Sequence, residues 1–139
     1  MIHVFYEECS PLTKQQEDVV QKTTQVVVNE GFKCGVLSAV FCSDEYLLEI
    51  NKAHLDHDYY TDILTFSYNE KNVISGDLFI SVDRVRDNAE SNNVDFLNEL
   101  SRVVIHGVLH LCGYNDKTPK EITLMRAKES YYLKTLCFT

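Results

Sequence analysis

The spacing of apolar residues changes several times along the chain, and each change marks an element. Ile2-His3-Val4-Phe5 is a short, largely apolar run that predicts a first strand. After Ser10-Pro11-Leu12-Thr13, the residues Val19, Val20, Val26 and Val27 recur at roughly helical intervals. Thr13 and Gln16 have capping-box spacing, so a helix is expected to start there and to stop at Gly31. Gly35 to Phe41 reads as a buried strand, and Ser43-Asp44-Glu45 as the capped start of a second helix reaching about His54. Ile63 to Tyr68 and Leu78 to Val82 predict two more strands around the polar turn Asn69-Glu70-Lys71-Asn72, with Ser75-Gly76-Asp77 expected to break the run ahead of the second. A polar amphipathic helix follows from Ser81 to Asn92. Asp95 then caps a longer helix whose Leu97, Leu100, Val104, Ile105, Val108, Leu109 and Leu111 surround it with apolar groups. A helix apolar on most sides belongs in the core.

Composition narrows the class. A chain of 139 residues, 45% apolar, suits one compact domain over residues 1–139, and its seven Phe and eight Tyr argue against disorder. The net charge is −8, and the thirteen basic residues are scattered without a run, so an RNA site would have to be a local patch. The N-terminus has neither a basic start nor an apolar stretch, and no apolar run approaches the ~20 residues of a membrane span. Five cysteines (Cys9, Cys34, Cys42, Cys112, Cys137) without a Cys-x-x-Cys pair fit a reduced, cytoplasmic protein better than a disulfide framework or a zinc knuckle.

The distinctive chemistry lies at the end of the long helix, in His106-Gly107-Val108-Leu109-His110-Leu111-Cys112-Gly113-Tyr114-Asn115-Asp116. His106 and His110 are one turn apart on one helix face, within reach of a single metal ion. A bare pair with this spacing also describes two hydrogen-bonded histidines of a core helix. Three further features favour a metal: Gly113 can end the helix, Asp116 can return a carboxylate as third ligand, and two imidazoles among Leu and Val need partners. Thr118-Pro119-Lys120-Glu121 combines a cap, a proline at the first helical position and a glutamate at the third, which pins the loop from its far side. Arg102, one turn before His106, can face the same cleft and meet a phosphate or, the reading favoured for an arginine, lie in solvent, whereas Cys112 is expected to serve packing. The spacing is that of metzincin zinc sites, but Gly107 stands where their glutamate base would be, so peptidase chemistry loses its base. An open three-ligand site retains the capacity to hydrolyse a phosphodiester or another ester.

These residues resemble the YbeY family of metal-dependent endoribonucleases, rRNA maturation factors whose signature reads H-G-x-L-H-L-x-G-Y-D-H. Two further blocks agree in order and spacing: Asn51 with Thr61-Asp62-Ile63-Leu64-Thr65-Phe66, and Gly76-Asp77-Leu78-Phe79-Ile80-Ser81. The resemblance spans roughly Phe41 to Tyr132. It implies an α+β fold, with a small mixed four-stranded sheet packed with five to six helices and a metal site at the end of a buried central helix. It also implies single-strand-specific cleavage of ribosomal RNA, including the small-subunit 3′ end. The implied metal is one Zn2+ per chain on His106 and His110, and the implied partners are a ribosomal particle or ribosomal protein.

Two departures from the family pattern fall at the site. Asp116, preceded by Asn115, replaces the final histidine, which lowers the charge of a metal site and admits harder metals. Leu55 stands where the family has a cleft arginine, which leaves His57 and Arg102 as the candidate catalytic residues. Asp62 can orient a ligand histidine or bond a backbone turn, the structural role being favoured, and Asp77 is similarly open. Two other functions fit the same residues. One is a non-catalytic ribosome-assembly factor in which a metal only locks the Asp116 loop. The other is a non-haem iron oxygenase, whose ligands more usually come from the strands of a barrel.

Overall fold

The computed structural model describes residues 1–136, so Cys137 lies outside the described residues. Four strands, β1 (Ile2–Glu7), β2 (Lys33–Cys42), β3 (Ile63–Ser67) and β4 (Val73–Ser81), form one mixed sheet in the order β1-β2-β4-β3. β2 runs parallel to both β1 and β4, and β3 closes the edge antiparallel to β4. The first predicted helix is broken into α1 (Lys14–Lys22) and α2 (Thr24–Asn29). The others are α3 (Asp44–Leu55), α4 (Val82–Ser91), α5 (Phe96–Leu111) and α6 (Pro119–Thr135), which makes five helices in six segments among the described residues. The architecture is the expected α+β one.

Side-chain caps begin the helices where local spacing predicts them. Thr13 and Gln16 exchange both capping-box bonds, Ser43 accepts from the Tyr46 N–H at 3.1 Å, and Asp95 accepts from the Asn98 N–H at 2.8 Å. Three boundaries differ from expectation, each for a local reason. The break in the first helix falls at Thr23, which is fully buried and donates its hydroxyl to the Val20 carbonyl at 2.6 Å. Such back-bonding competes with the helical ladder. β4 starts at Val73 rather than Leu78, because Ile74, Gly76, Leu78 and Ile80 alternate inward through the supposed break. Gly76 is needed for close approach: a Cβ there would stand 2.5 Å from the Phe66 carbonyl oxygen and 2.8 Å from Leu111 Cδ2. Val82 belongs to α4 because Ser81 caps that helix, accepting from the Arg84 N–H at 3.0 Å. Gly76→Ala is therefore expected to lower unfolding free energy by about 1–3 kcal/mol, read by urea denaturation.

α5 is the centre of the molecule, touching α1, α2, α4, α6, β3 and β4. Its Leu100, Val104, Ile105, Val108 and Leu109 are fully buried against sheet residues that include Leu37, Ala39, Leu78 and Ile80. On the opposite face of the sheet, α3 sets Leu47 over Cys42 and Leu64, with Phe66 and Phe79 packed alongside. Burying this much apolar surface holds α5 against the sheet. Among the described residues no helix is long and apolar enough to cross a membrane, and Cys9, Cys34, Cys42 and Cys112 are all free thiols.

Candidate metal centre

The last two turns of α5 carry His106 and His110, whose rings meet edge to face with centroids 4.5 Å apart. Gly113 then takes a φ of 106°, where a side chain would be strained. The N–H groups of Gly113 and Tyr114 bond back to the carbonyls of His110 and Leu109 at 3.0 and 3.1 Å. This reversal brings Asp116 Oδ2 to 3.3 Å from the Nε2 atoms of both histidines, which are themselves 3.0 Å apart. One donor atom from each of the three residues thus lies within 4.8 Å of the other two. The α6 capping box holds the far side of the loop, Glu121 Oε1 accepting from the N–H groups of Lys117 and Thr118 at 3.2 and 3.0 Å. Thr118→Ala is expected to cost about 1 kcal/mol of stability, measured as a lowered Tm.

The outer nitrogens of the two rings determine what the inner ones offer. His106 Nδ1 donates to Glu129 Oε2 at 2.7 Å, and His110 Nδ1 donates to the Tyr114 carbonyl at 2.8 Å. A carbonyl can only accept. Glu129 is fully buried, and although burial alone would raise its carboxyl pKa, His106, Arg126 and Arg102 together hold it below the usual range, so it too only accepts. Both ring protons are therefore on Nδ1 in the neutral imidazoles, and both Nε2 atoms present lone pairs. With both imidazoles neutral, two such lone pairs and a carboxylate oxygen converge on one point. That arrangement is repulsive by itself and suits a divalent cation, and an N, N, O donor set lies within the range of zinc and its neighbours.

Glu129 was not apparent from sequence motifs. Its signal is a carboxylate within the apolar stripe of α6, between Met125 and Tyr132, where all three side chains are buried. A charge at such a position must be paired. Glu129 Oε1 accepts from Arg102 at 3.1 Å and from Arg126 at 2.9 Å, so Arg102 does face the cleft, anchored rather than free. A second carboxylate, Glu30, accepts from Tyr114 Oη, Tyr132 Oη and Lys128 Nζ, tying the loop beside His110 to α2 and α6.

The donor set opens on a cleft of about 670 Å³ that Asp62, Arg102, His106, Asp116, Arg126 and Glu129 help to line. Asp62 bonds Asn88 Nδ2 at 3.3 Å, and its carbonyl accepts from the Ser81 N–H at 2.9 Å, while Glu129 is the carboxylate that orients His106. Burial pushes the Asp62 carboxyl up, against the pull of His106. His57 lies outside the cleft lining: its ring stacks on Tyr59 at 5.1 Å and its N–H closes the end of α3 on the Asn51 carbonyl. Leu55 ends α3, 40% exposed. Asp77 accepts from Tyr68 Oη at 3.1 Å and does not line the cleft. Cys112 packs on the core, where burial pushes its thiol up to about 12. Position 107 faces the sheet, since a Cβ there would stand 2.5 Å from Ile63 Cδ1.

Fold and site together define an α+β protein with a convergent His-His-Asp donor set at the end of its central helix. The chain belongs to the YbeY family, whose model, Endoribonuclease YbeY, matches residues 5–137. The Endoribonuclease YbeY of Parabacteroides distasonis is 57% identical over 76% of this chain and 75% of its own length. That of Cytophaga hutchinsonii is 47% identical over 92% of this chain and 90% of its own. A solution structure of a Thermotoga maritima protein superposes with a TM-score of 0.70 at 29% identity, covering 98% of this chain and 89% of that one.

Proposed function

We propose that this chain is a metal-dependent endoribonuclease that cuts single-stranded RNA in the maturation of ribosomal RNA, including the small-subunit 3′ end. The observation that carries this reading is the convergence of three lone-pair donors on a cleft that also holds two arginines. His106, His110 and Asp116 would hold one zinc ion, and zinc in such a site supplies Lewis acidity toward a phosphoryl oxygen and acidifies water. Family membership favours this reading over an oxygenase and over a non-catalytic assembly factor.

The chain's own residues supply orientation and charge. Glu129 fixes the His106 ring, and the Tyr114 carbonyl fixes the His110 ring. Each arginine bonds Glu129 through one NH1 group, which leaves other guanidinium N–H groups for the non-bridging oxygens of a backbone phosphate. Arg102 and Arg126 thereby provide cationic groups in a cleft where the family's arginine position is Leu55. A net charge of −8 gives poor long-range attraction for RNA, so docking on a ribosomal particle or protein, in the cytoplasm, would deliver the substrate. The domain that does this spans residues 1–139.

The test compares one RNA sequence presented single-stranded, fully base-paired, and as an unprocessed 3′ end within ribosomal particles. Metal-loaded protein is expected to cut the first and third and to spare the second. Equal cutting of single- and double-stranded RNA would overturn the single-strand assignment, and no cutting of any form would overturn the nuclease reading.

A further inference from the structure

Of the residues that line the cleft, Asn88, Asn92, Val94, Glu99 and Val103 have no part in the chemistry described so far. α5 lines it with Glu99, Arg102, Val103 and His106, at intervals of three, four and seven residues along one face. Glu99 therefore stands two turns from His106, about 10 Å along the axis. Asn88, Asn92 and Val94 close this end from α4 and the segment after it.

Glu99 is unusual among these residues. It is 4% exposed, yet its carboxylate accepts one hydrogen bond, from Asn92 Nδ2 to Oε1 at 3.5 Å, the outer limit of such a bond. Oε2 has no protein partner and is not among the buried, unpaired oxygens, so it keeps access to the cleft. Glu129, by contrast, carries three side-chain donors. An almost buried carboxylate left with spare accepting capacity and facing a cleft is matched by a ligand that brings donors.

We propose that Glu99 and Asn92 form a nucleobase subsite that selects guanine beside the cleavage position. The subsite offers, side by side, an amide donor on Asn92 and two carboxylate acceptors on Glu99. The Watson–Crick edge of guanine runs O6 acceptor, N1–H donor, N2–H donor, and is the complement of that set. Adenine and cytosine place a ring-nitrogen acceptor where guanine has N1–H, which would face a carboxylate oxygen. Uracil has the central N–H but an acceptor on each side of it. Val94 and Val103 supply apolar wall for the base faces, and single-stranded RNA is the form whose unstacked bases can enter. The subsite rests on the nuclease reading above and adds a base preference to it.

Two measurements on the full chain test this, one of them independent of cleavage. Binding of guanosine, adenosine, cytidine and uridine 3′-monophosphates is followed by the NMR side-chain amide signals of Asn88 and Asn92. Cleavage is then measured on short single-stranded RNAs identical except for G, inosine, A, C or U at one position. Guanosine monophosphate is expected to bind on the order of tenfold to a hundredfold tighter than the other three, with the Asn92 amide shifted, and cutting is expected at a fixed offset from G with a similar preference. Inosine, which lacks the N2 amino group, should lose much of it. Glu99→Gln, nearly the same shape, should bring G down to the level of the other bases, and Asn92→Ala at an exposed position should weaken the preference if the first variant does not fold. Four nucleotides binding within twofold of one another would overturn the subsite, whether or not RNA is cut. Guanine preference without any cutting would sustain the subsite and sink the nuclease reading, and cutting without base preference would do the reverse.

Discussion

His110→Ala is expected to lower RNA cleavage by on the order of a thousandfold or more and to leave the fold in place. The residue lies in the last turn of α5 with its side chain 24% exposed, so its removal opens no large cavity in the core. In metal-free protein with both imidazoles neutral, the substitution also relieves the lone-pair contact between the two Nε2 atoms, 3.0 Å apart, while it strips the Tyr114 carbonyl of its donor. The two effects oppose, and the change in stability without metal should stay within about 1 kcal/mol. What disappears is linkage: zinc at a hundred times its Kd should stabilise the natural chain by about 2.7 kcal/mol, and the variant hardly at all. Thermal melts with and without zinc, run beside the cleavage assay, separate loss of metal from loss of fold.

Glu129→Ala should damage stability and metal binding together. The carboxylate is fully buried and compensates His106, Arg102 and Arg126, so deleting it leaves polar groups facing a cavity. A loss of about 3 kcal/mol is expected by urea denaturation. With the His106 ring no longer held by Nδ1, metal affinity should fall ten- to a hundredfold. Glu129→Gln keeps the shape and an oxygen that accepts from His106, so competition titrations with a chelator should show a smaller loss of affinity. Its effect on cleavage should exceed its effect on metal binding, because both arginines lose their counter-charge.

Features built from neighbours three or four residues apart were legible before any coordinates. The capping boxes at Thr13 and Thr118, the His106–His110 pair and the glycine turn that returns Asp116 all depend on local geometry, and all recur in the fold. The break at Thr23 is not legible in the sequence because it turns on one hydroxyl bonding its own helix. The start of β4 is hidden because Gly76 resembles a strand breaker, whereas in the fold Phe66 and Leu111 press against it. Glu129 escaped because its partner His106 is 23 residues away on another helix, and no spacing rule connects them. Its one sequence signal, a charge inside an apolar stripe, says that a partner exists without naming it. His57 follows the same logic in reverse: it lies near the cleft residues in sequence, but the end of α3 directs it onto Tyr59.

The dependence of RNA cleavage on one divalent ion held by His106, His110 and Asp116 is itself an expected result. It is tested most directly by stripping the protein of metal and titrating zinc back while cleavage of a single-stranded RNA is followed in the same samples. Activity absent at the start, rising in proportion to zinc and levelling at one ion per chain is the predicted result. Undiminished cleavage by the stripped protein, or a fully loaded and folded protein that cuts nothing, would contradict it.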